Sequence, residues 1–320
     1  MADIKIKIDR DIAAKYAVSF GSNVLMKLLL ILITAGLVFS IISPIFSLVI
    51  RGFMQRQDLT NPLVYMIPIN FTLENYRTAF EHMRYLDTLW LTMRHALAVT
   101  LIQTVVCALT GYGFARFNFP GRNILFGVVI MTIVVPIEAI TTSLFMQFRF
   151  FDVFGIISLF TGERGINFLN TVTPLYILAL TGMGVRSGLF IFIFRQFFRN
   201  MPKEFEESAF IDGAGKIRTF LSIIIPNALP AIITVFLFTL VWQYNDTTYS
   251  AILLPTVNMM PTMLGTLGNT VYTATATQDL TWVNLVVQTG AVLVIAPMII
   301  IYLFLQKLFI EGVERSGITG

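Results

Sequence analysis

The chain has 320 residues and a net charge of +4; 56% of its residues are hydrophobic and only 12% are charged. Soluble globular proteins carry about 25% charged residues, so this composition excludes an ordinary soluble enzyme and predicts a membrane protein. One cysteine excludes a disulfide framework and a thiolate zinc cluster within the chain, and two histidines do not make a metal site. We therefore expect no metal site. We also expect no nucleic-acid binding, because an excess of basic residues in a membrane protein reflects its topology.

Six apolar segments are long enough to cross a bilayer. Crossing takes about 20 apolar residues, because the hydrocarbon core is about 30 Å thick and a helix rises about 1.5 Å per residue. Stretches with few or no charges predict spans at 25–50, 89–114, 123–147, 173–196, 219–244 and 284–308. The predicted fold is therefore an all-α membrane protein, with one six-helix transmembrane domain at 25–310.

A further uncharged stretch, 247–278, is not predicted to be a helix. It contains Pro255, Pro261, Gly265 and Gly268. Prolines and glycines at this density predict an ordered loop or a re-entrant turn.

The distribution of basic residues predicts the orientation. With the amino terminus inside, the inside segments hold 14 lysines and arginines and the outside segments hold 7. This bias places both termini in the cytoplasm, as a segment at 1–24 and a tail at 311–320. The first apolar segment is too long for a cleavable signal and follows acidic residues, so we expect it to remain as a helix.

No complete nucleotide-binding motif is present. The string GAGKIRT at 213–219 has Phe210 where a phosphate loop requires glycine, and Ile217 where it requires serine or threonine. We expect no ATP site in this chain. Energy for active transport would then come from a partner or from an ion gradient.

The segment between spans four and five predicts a short amphipathic helix at 203–214. Pro202 ends the preceding helix, acidic residues favour the amino-terminal end of the new one, and Gly213 and Gly215 stop it. Its apolar residues occur at helical spacing: Phe205, Ala209, Phe210 and Ile211. Such a helix lies in the membrane interface, packs under its own bundle, or inserts into a groove of a partner.

This segment resembles the EAA loop of ABC importer permeases. The family pattern is E-A-A, three residues, G, nine residues, I, one residue and L-P. Here Glu207-Ser208-Ala209 is followed by Gly213, and later by Ile223 and Ile225-Pro226. Serine at 208 and isoleucine at 225 depart from the pattern. The strings TLENYRTAF, PKEFEESAFIDGAG and VWQYND are similar to the carbohydrate-uptake branch, the maltose-type permease partner, so the resemblance covers nearly the whole chain.

The resemblance implies an importer subunit in the cytoplasmic membrane of a prokaryote. In this family two permease chains form the pathway, two ATPase subunits bind Mg-ATP beneath them, and a solute-binding protein delivers the sugar. This chain would then be no enzyme and would hold no cofactor. The coupling helix would lie at about 203–215 and would contact the ATPase through Lys203, Glu204, Glu207, Ser208, Ala209, Asp212, Gly213, Ala214 and Gly215.

Further roles have two interpretations each. Pro226 and Pro230 kink span five for gating, or are tolerated as prolines often are in membrane helices. Polar and aromatic residues in or near the spans line the pathway, or bond helix to helix: Gln103, Glu138, Trp242, Tyr244, Asn245 and Asp246. By resemblance, one outside segment contacts the binding protein, or else it packs as a lid: Asn258, Met259, Met260, Thr262 and Gly265.

The alternative function is a self-sufficient secondary transporter or channel. In that hypothesis Glu138 is the intramembrane acid and Arg186 is its partner. It predicts internal repeats and paired broken helices. No convincing repeat is found, and the EAA-type loop would have no purpose.

Overall fold

The structure is a computed structural model that describes residues 2–317, and the side chains of residues 24–307. Every regular element in this part of the chain is a helix. Isolated antiparallel bridges join Met54 to Phe71 and Phe151 to Ile166. The predicted all-α class is confirmed. The chain divides into two units, 1–75 and 76 onward.

The first unit contains a long helix and a pinned loop. Helix α1 is Ala2–Arg51, α2 is Arg56–Thr60, and α3, Glu74–His82, begins at its end. The Asp58 carboxylate is buried and accepts hydrogen bonds from the backbone N–H and the side-chain amide of Asn70, each at 2.8 Å. This paired contact satisfies a buried charge and closes the loop.

The second unit contains the remaining helices. In chain order these are α4 Tyr85–Arg116, α5 Arg122–Val134, a 3-10 turn Ile137–Ile140, α6 Thr141–Arg149, α7 Ile156–Thr161, α8 Thr173–Leu180, α9 Ser187–Asn200, α10 Glu204–Ile211, α11 Lys216–Thr219, a π-helical turn Phe220–Ile224, α12 Ile225–Asn227, α13 Leu229–Tyr244, α14 Thr248–Leu253, α15 Met260–Thr275 and α16 Leu280–Gly317.

Helix α4 is the centre of the second unit, with α8, α9, α13 and α15 packed against it. The closest approach is at Gly111, where an added Cβ would lie 2.5 Å from the Phe194 Cβ. Small residues of α4, Cys107 and Ala108, are buried against the phenylalanines of α9, including Phe190. Glycine and alanine therefore allow α4 and α9 to touch backbone to backbone over a phenylalanine-rich core.

Three continuous helices are long and apolar enough to span a membrane: Val24–Arg51, Tyr85–Arg116 and Leu280–Lys307. Two further pairs of helices qualify if each pair is counted as one span. The first pair is Arg122–Val134 with Ile137–Arg149, bent by 102°. The second pair is Lys216–Asn227 with Leu229–Tyr244, bent by 74°. The described residues thus give three to five candidate spans, at five of the six predicted positions.

The fourth predicted span, 173–196, is not one continuous helix. Helices α8 and α9 share it, with a non-helical connector from Thr181 to Arg186 between them. Gly182 and Arg186 both have positive φ, +70° and +58°. A search for uncharged stretches does not detect such a change in backbone direction.

The prediction that the stretch 247–278 is not helical is wrong. Helices α14 and α15 occupy most of it. Pro261 stands in the first turn of α15, where a missing N–H breaks no helical bond. Leu267 is buried against α16, where a Cβ added at Gly290 would lie 2.6 Å from the Leu267 Cδ2. Packing on α16 therefore offsets the weak helix propensity of this segment.

Candidate functional site

The segment predicted to be the coupling helix contains a helix, α10, followed by a glycine turn. The Ala214 N–H donates to the Ala209 carbonyl at 2.9 Å, and the Gly213 N–H donates to the Phe210 carbonyl at 3.1 Å. Gly213 has a φ of +79°. This is the Schellman arrangement, in which the residue after the helix adopts the left-handed conformation that glycine favours. The glycine of the EAA-type pattern thus has a backbone cause here.

The predicted coupling residues divide into a buried or half-buried group and an exposed group. Ala209 is buried, and Ala214 is half-buried. The others are exposed: Lys203, Glu204, Glu207, Ser208, Asp212, Gly213 and Gly215. Helix α10 is therefore held on the side of Ala209 and presents Glu204 and Glu207 to the surroundings.

Three of the four apolar residues predicted for one side of α10 are exposed. Only Ala209 is buried, whereas Phe205, Phe210 and Ile211 lie open, Ile211 to 86%. Ile217 on α11 is exposed as well. The described chain thus leaves apolar side chains uncovered on and beside this short helix.

Glu206 is the residue of this site that the sequence analysis missed. Its Oε1 atom lies 2.9 Å from the Arg116 Nε atom, and these side chains are only 13% and 6% exposed. The Tyr112 hydroxyl donates to the same oxygen at 3.4 Å, and the Arg116 Nη2 donates to the Met201 carbonyl at 2.8 Å. Glu206 thereby ties α10 to the end of α4. Its spacing of three residues from Ala209, on the same helical face, is the signal that would have found it.

The fifth predicted span is bent at its two prolines. Pro226 lies in α12 and Pro230 lies in the first turn of α13, on either side of Ala228. Ala228 is buried, and its N–H donates to the carbonyls of Ile224 and Ile225. The bend of 74° between the segment Lys216–Asn227 and α13 therefore coincides with the missing proline donors.

Gln103 and Tyr244 bond helix to helix. Gln103 is buried, donates from Nε2 to the Val185 carbonyl at 2.7 Å, and accepts from Gln243 Nε2 at 3.1 Å. The Tyr244 hydroxyl is buried and donates to the Val294 carbonyl at 2.9 Å. These contacts link α4, the connector before α9, α13 and α16.

Glu138 and Arg186 do not form an ion pair among the described side chains. Glu138 is exposed on the 3-10 turn at the 102° bend. The Arg186 guanidinium instead lies 5.6 Å from the centre of the Trp242 ring, which also contacts Phe190 at 5.5 Å. The predicted pairing is therefore wrong, because the left-handed turn at Arg186 directs this side chain to the aromatic face of α13.

Asn245 and Asp246 follow the end of α13. Asn245 is exposed, and its amide donates to the Val241 carbonyl. The Asp246 carboxylate accepts from the Ser250 N–H at 2.9 Å and from the Tyr249 N–H at 3.3 Å, and so caps α14. Burial raises the pKa of Asp246 above its ordinary value of 3.8, although these hydrogen bonds oppose the shift.

A small cavity with a mixed polar and apolar lining includes Asp246 in its wall. It measures about 20 Å³, and its lining includes Thr92, His95, Gln243 and Tyr244. The His95 Nδ1 atom lies 2.6 Å from the Tyr176 hydroxyl oxygen. This volume admits about one water molecule. The arrangement described here therefore has no room for a sugar ring in this cavity.

The predicted binding-protein segment begins in a packed position. Met259 and Met260 are buried, and the Met260 N–H donates to the Thr92 Oγ1 atom at 2.9 Å. Thr262 is half-buried, while Asn258 and Gly265 are exposed. The methionines thus fix the start of α15 to α4, and other residues of the segment face outward.

Known proteins resemble most of this chain. Residues 103–315 match the family described as "Binding-protein-dependent transport system inner membrane component". The osmoprotective compounds uptake permease protein GgtD of Synechocystis is 24% identical over 288 residues, 86% of each chain. The sn-glycerol-3-phosphate transport system permease protein UgpE of Yersinia pestis is 27% identical over 221 residues, 69% of this chain and 70% of that protein.

A further relative and a solved structure agree with that match. The alpha-glucoside transport system permease protein AglG of Rhizobium meliloti is 25% identical over 254 residues, 79% of this chain and 62% of that protein. A chain of a bacterial ABC transporter involved in the import of the acidic polysaccharide alginate superposes with a TM-score of 0.63 and 18% identity, covering 90% of this chain and 98% of that one. At this identity the likeness shows the fold alone.

Proposed function

Since the chain belongs to the family of inner membrane components of binding-protein-dependent transport systems, we propose that it forms half of the translocation pathway of an ATP-driven importer for a sugar or oligosaccharide. The relatives named for alpha-glucosides and for glycerol phosphate support a polyhydroxylated substrate. The second half of the pathway is a second permease chain. Two ATPase subunits bind and hydrolyse Mg-ATP, and this chain transmits their motion.

Helix α10 carries this proposal. One side of the helix is held in place by buried Ala209 and by the ion pair of Glu206 with Arg116. The apolar side chains of Phe205, Phe210 and Ile211 remain uncovered. An amphipathic helix with exposed apolar anchors suits a groove in a partner protein. We assign the ATPase as that partner, with exposed Glu207 and Asp212 making polar contacts at the rim.

The topology that fits this function has six spans and a cytoplasmic α10. Each bent pair counts as one span, and α8 with α9 forms the fourth. Both termini are then cytoplasmic, which agrees with the excess of lysine and arginine on that side. The Pro226–Pro230 bend lies next to α10 along the chain, where motion of α10 would reach α13.

The opposite end of the second unit would meet the solute. We place the binding protein against the exposed residues at the start of α15, Asn258 and Gly265, and we place the outer mouth of the pathway near Trp242, Asn245 and Asp246. The family match does not favour the alternative of a self-sufficient transporter, and Glu138 lacks the Arg186 contact on which that alternative depended.

Co-purification tests the docking of α10. The full chain is extracted in mild detergent from its native membrane, and the proteins that accompany it are identified. We expect an ATPase and a second permease with the wild-type chain. Ile211→Glu should remove the ATPase and retain the second permease, because this side chain is 86% exposed and its replacement leaves the fold intact.

Phe154→Glu is the matched control. This side chain is 98% exposed in the loop between α6 and α7, away from α10, so the ATPase should be retained. A wild-type chain that purifies alone would refute the importer subunit. An Ile211→Glu variant that keeps its ATPase would refute the docking surface.

A further inference from the structure

Arg195 on α9 is a half-buried cation, and the described residues give its guanidinium no carboxylate partner. Its guanidinium lies 3.9 Å from the centre of the Phe126 ring of α5. The Nε atom is buried and has no hydrogen-bond partner among the described residues. A buried donor of this kind is costly unless an acceptor is supplied from elsewhere. The position therefore requires an acceptor that the described chain does not provide.

Two more arginines add positive charge at the same place. Arg199 lies one helical turn after Arg195 on α9, and Arg122 lies one turn before Phe126 on α5, the helix that Arg195 contacts. None of the three is in an ion pair with a carboxylate among the side chains of residues 24–307. The Arg122 Nη1 is held by the Phe117 carbonyl and by the Asn118 Oδ1, which fixes its charge in place. We call Arg122, Arg195 and Arg199 the arginine triad.

The surroundings of the triad combine an open cleft with an apolar helix. A cleft of about 310 Å³ is lined by Asn118, Phe119 and Arg122, with the first turn of α5 beside it. That turn has no acidic residue and no side-chain cap, so its positive end is not neutralised. No residue of α5 is buried, and Ile124 is 76% exposed.

We infer that the arginine triad binds the phosphate group of an anionic phospholipid, whose acyl chains lie along the exposed apolar face of α5. A lipid meets both requirements at once, since its phosphate supplies acceptors to the cations and its chains cover the apolar side chains. The placement in the cytoplasmic leaflet rests on the proposed function, which puts this end of α5 and α9 on the cytoplasmic side. That leaflet carries the anionic lipids that attract arginine clusters.

Native mass spectrometry of the full chain, with whatever subunits accompany it, tests the assignment. The detergent-solubilised protein is titrated with phosphatidylglycerol or with phosphatidylcholine of the same acyl chains. We expect retention of phosphatidylglycerol over phosphatidylcholine. Arg195→Gln with Arg199→Gln should weaken the retention of phosphatidylglycerol by about fivefold for each charge removed. Arg195→Lys keeps the charge and should retain most of the binding.

Arg149→Gln is the matched control. Arg149 also lies against an aromatic ring, 5.5 Å from the centre of that of Phe150, and it is the last residue of the bent pair of helices that begins at Arg122. Its replacement should leave lipid retention unchanged. Gel filtration of each variant checks that it remains folded. If the glutamine variants do not remain folded, Arg195→Lys is the variant that tests the assignment.

Several outcomes would overturn the assignment. Equal retention of the two lipids by the wild type would exclude a phosphate-specific site, and full retention by the double variant would exclude the triad. Displacement of the lipid by millimolar inorganic phosphate would indicate a soluble anion. Loss of the ATPase with unchanged lipid would show that the arginines serve a protein contact. If the wild type keeps phosphatidylglycerol but no ATPase accompanies it, the proposed function fails and the lipid site stands.

Discussion

The Arg116 Nε atom at the end of α4 lies 2.9 Å from the Glu206 Oε1 atom of α10, in an ion pair whose side chains are almost fully buried. The Nε–H bond does not point at a hydrogen-bond acceptor, so the contact is chiefly electrostatic. Because α4 is the centre of the second unit, this pair joins α10 to the core of the membrane bundle. A displacement of α10 would therefore act directly on α4 through this ion pair.

Removing the charge of Glu206 should destabilise the protein. Glu206→Gln leaves Arg116 buried without its counter-ion, and breaking a buried pair in this way costs about 3 kcal/mol. We expect a lower unfolding temperature in detergent and weaker retention of the ATPase. Glu81→Gln is the control, because the Arg77–Glu81 pair at 2.7 Å is 81% and 58% exposed and should contribute little to stability. Equal effects of the two changes would contradict the role of burial.

The left-handed conformation of Gly213 predicts a difference between two nearby glycines. An added Cβ meets nothing within 4 Å at either Gly213 or Gly215, so steric contacts do not distinguish them. Gly213 has a φ of +79° and Gly215 has a φ of −74°. Gly213→Ala should cost about 1–2 kcal/mol and loosen the end of α10.

Two further variants complete this comparison. Gly215→Ala should be nearly neutral, and Gly213→Asn should restore much of the loss, because asparagine tolerates the left-handed region. Thermal unfolding and ATPase co-purification provide the readouts. If alanine at 213 and alanine at 215 behave alike, the backbone explanation for the glycine is wrong.

Close contact between α4 and α9 predicts a second glycine pair. A Cβ at Gly111 would lie 2.5 Å from the Phe194 Cβ and 3.0 Å from the Arg195 backbone nitrogen, whereas a Cβ at Gly113 would meet nothing within 4 Å. Gly111→Ala should therefore force the helices apart and destabilise the protein by about 1–3 kcal/mol. Gly113→Ala should stabilise it by up to about 1 kcal/mol through helix propensity. Thermal unfolding in detergent measures both, and a tolerated alanine at 111 would refute the close approach.

Two aspartates outside the spans predict opposite pH dependences. Burial raises the pKa of Asp246 above 3.8, so the folded state binds more protons than the unfolded state just above pH 3.8. The contribution of Asp246 to stability is then complete below pH 3.8 and is lost as the pH rises through the folded pKa. Relative to Asp246→Asn, the wild type should lose stability as the pH rises through this window.

Asp152 should behave in the reverse sense. Hydrogen bonds from the Ser158 side chain and from the backbone N–H groups of Ile157 and Ser158 lower the pKa of Asp152 below 3.8. Its contribution is present above pH 3.8 and is lost as the pH falls through the folded pKa. Unfolding temperatures of the wild type, Asp152→Asn and Asp246→Asn across acidic pH provide the measurement. Slopes of the same sign for the two replacements would contradict the assignment.

Local signals were sufficient to predict α10. Its acidic start, its glycine stop and its apolar spacing all act within one short segment, and the helix forms within the predicted bounds. The apolar stretches likewise predicted the positions of the long helices. In each case the deciding interactions occur between residues close together in sequence.

Contacts between distant segments account for what the sequence analysis missed. Helix α15 forms because Leu267 packs against Gly290 of α16, and Glu206 is tied to Arg116 across the chain. The connector inside the fourth predicted span depends on Gly184, where a Cβ would lie 2.7 Å from Gln103 Oε1. None of these pairings leaves a signal in composition or hydropathy, since each requires knowledge of which helices touch.

The π-helical turn at Phe220–Ile224 means that the number of residues between α10 and α13 sets how these two helices are rotated relative to each other. The Ile225 N–H donates to the Phe220 carbonyl, five residues back, so this turn holds one residue more than an α-helical turn. Deleting one residue here would rotate everything that follows by about 100° relative to α10. Substitutions at exposed positions such as Ser222 leave that phase unchanged. We therefore expect this stretch to tolerate changes of residue type far better than insertions or deletions.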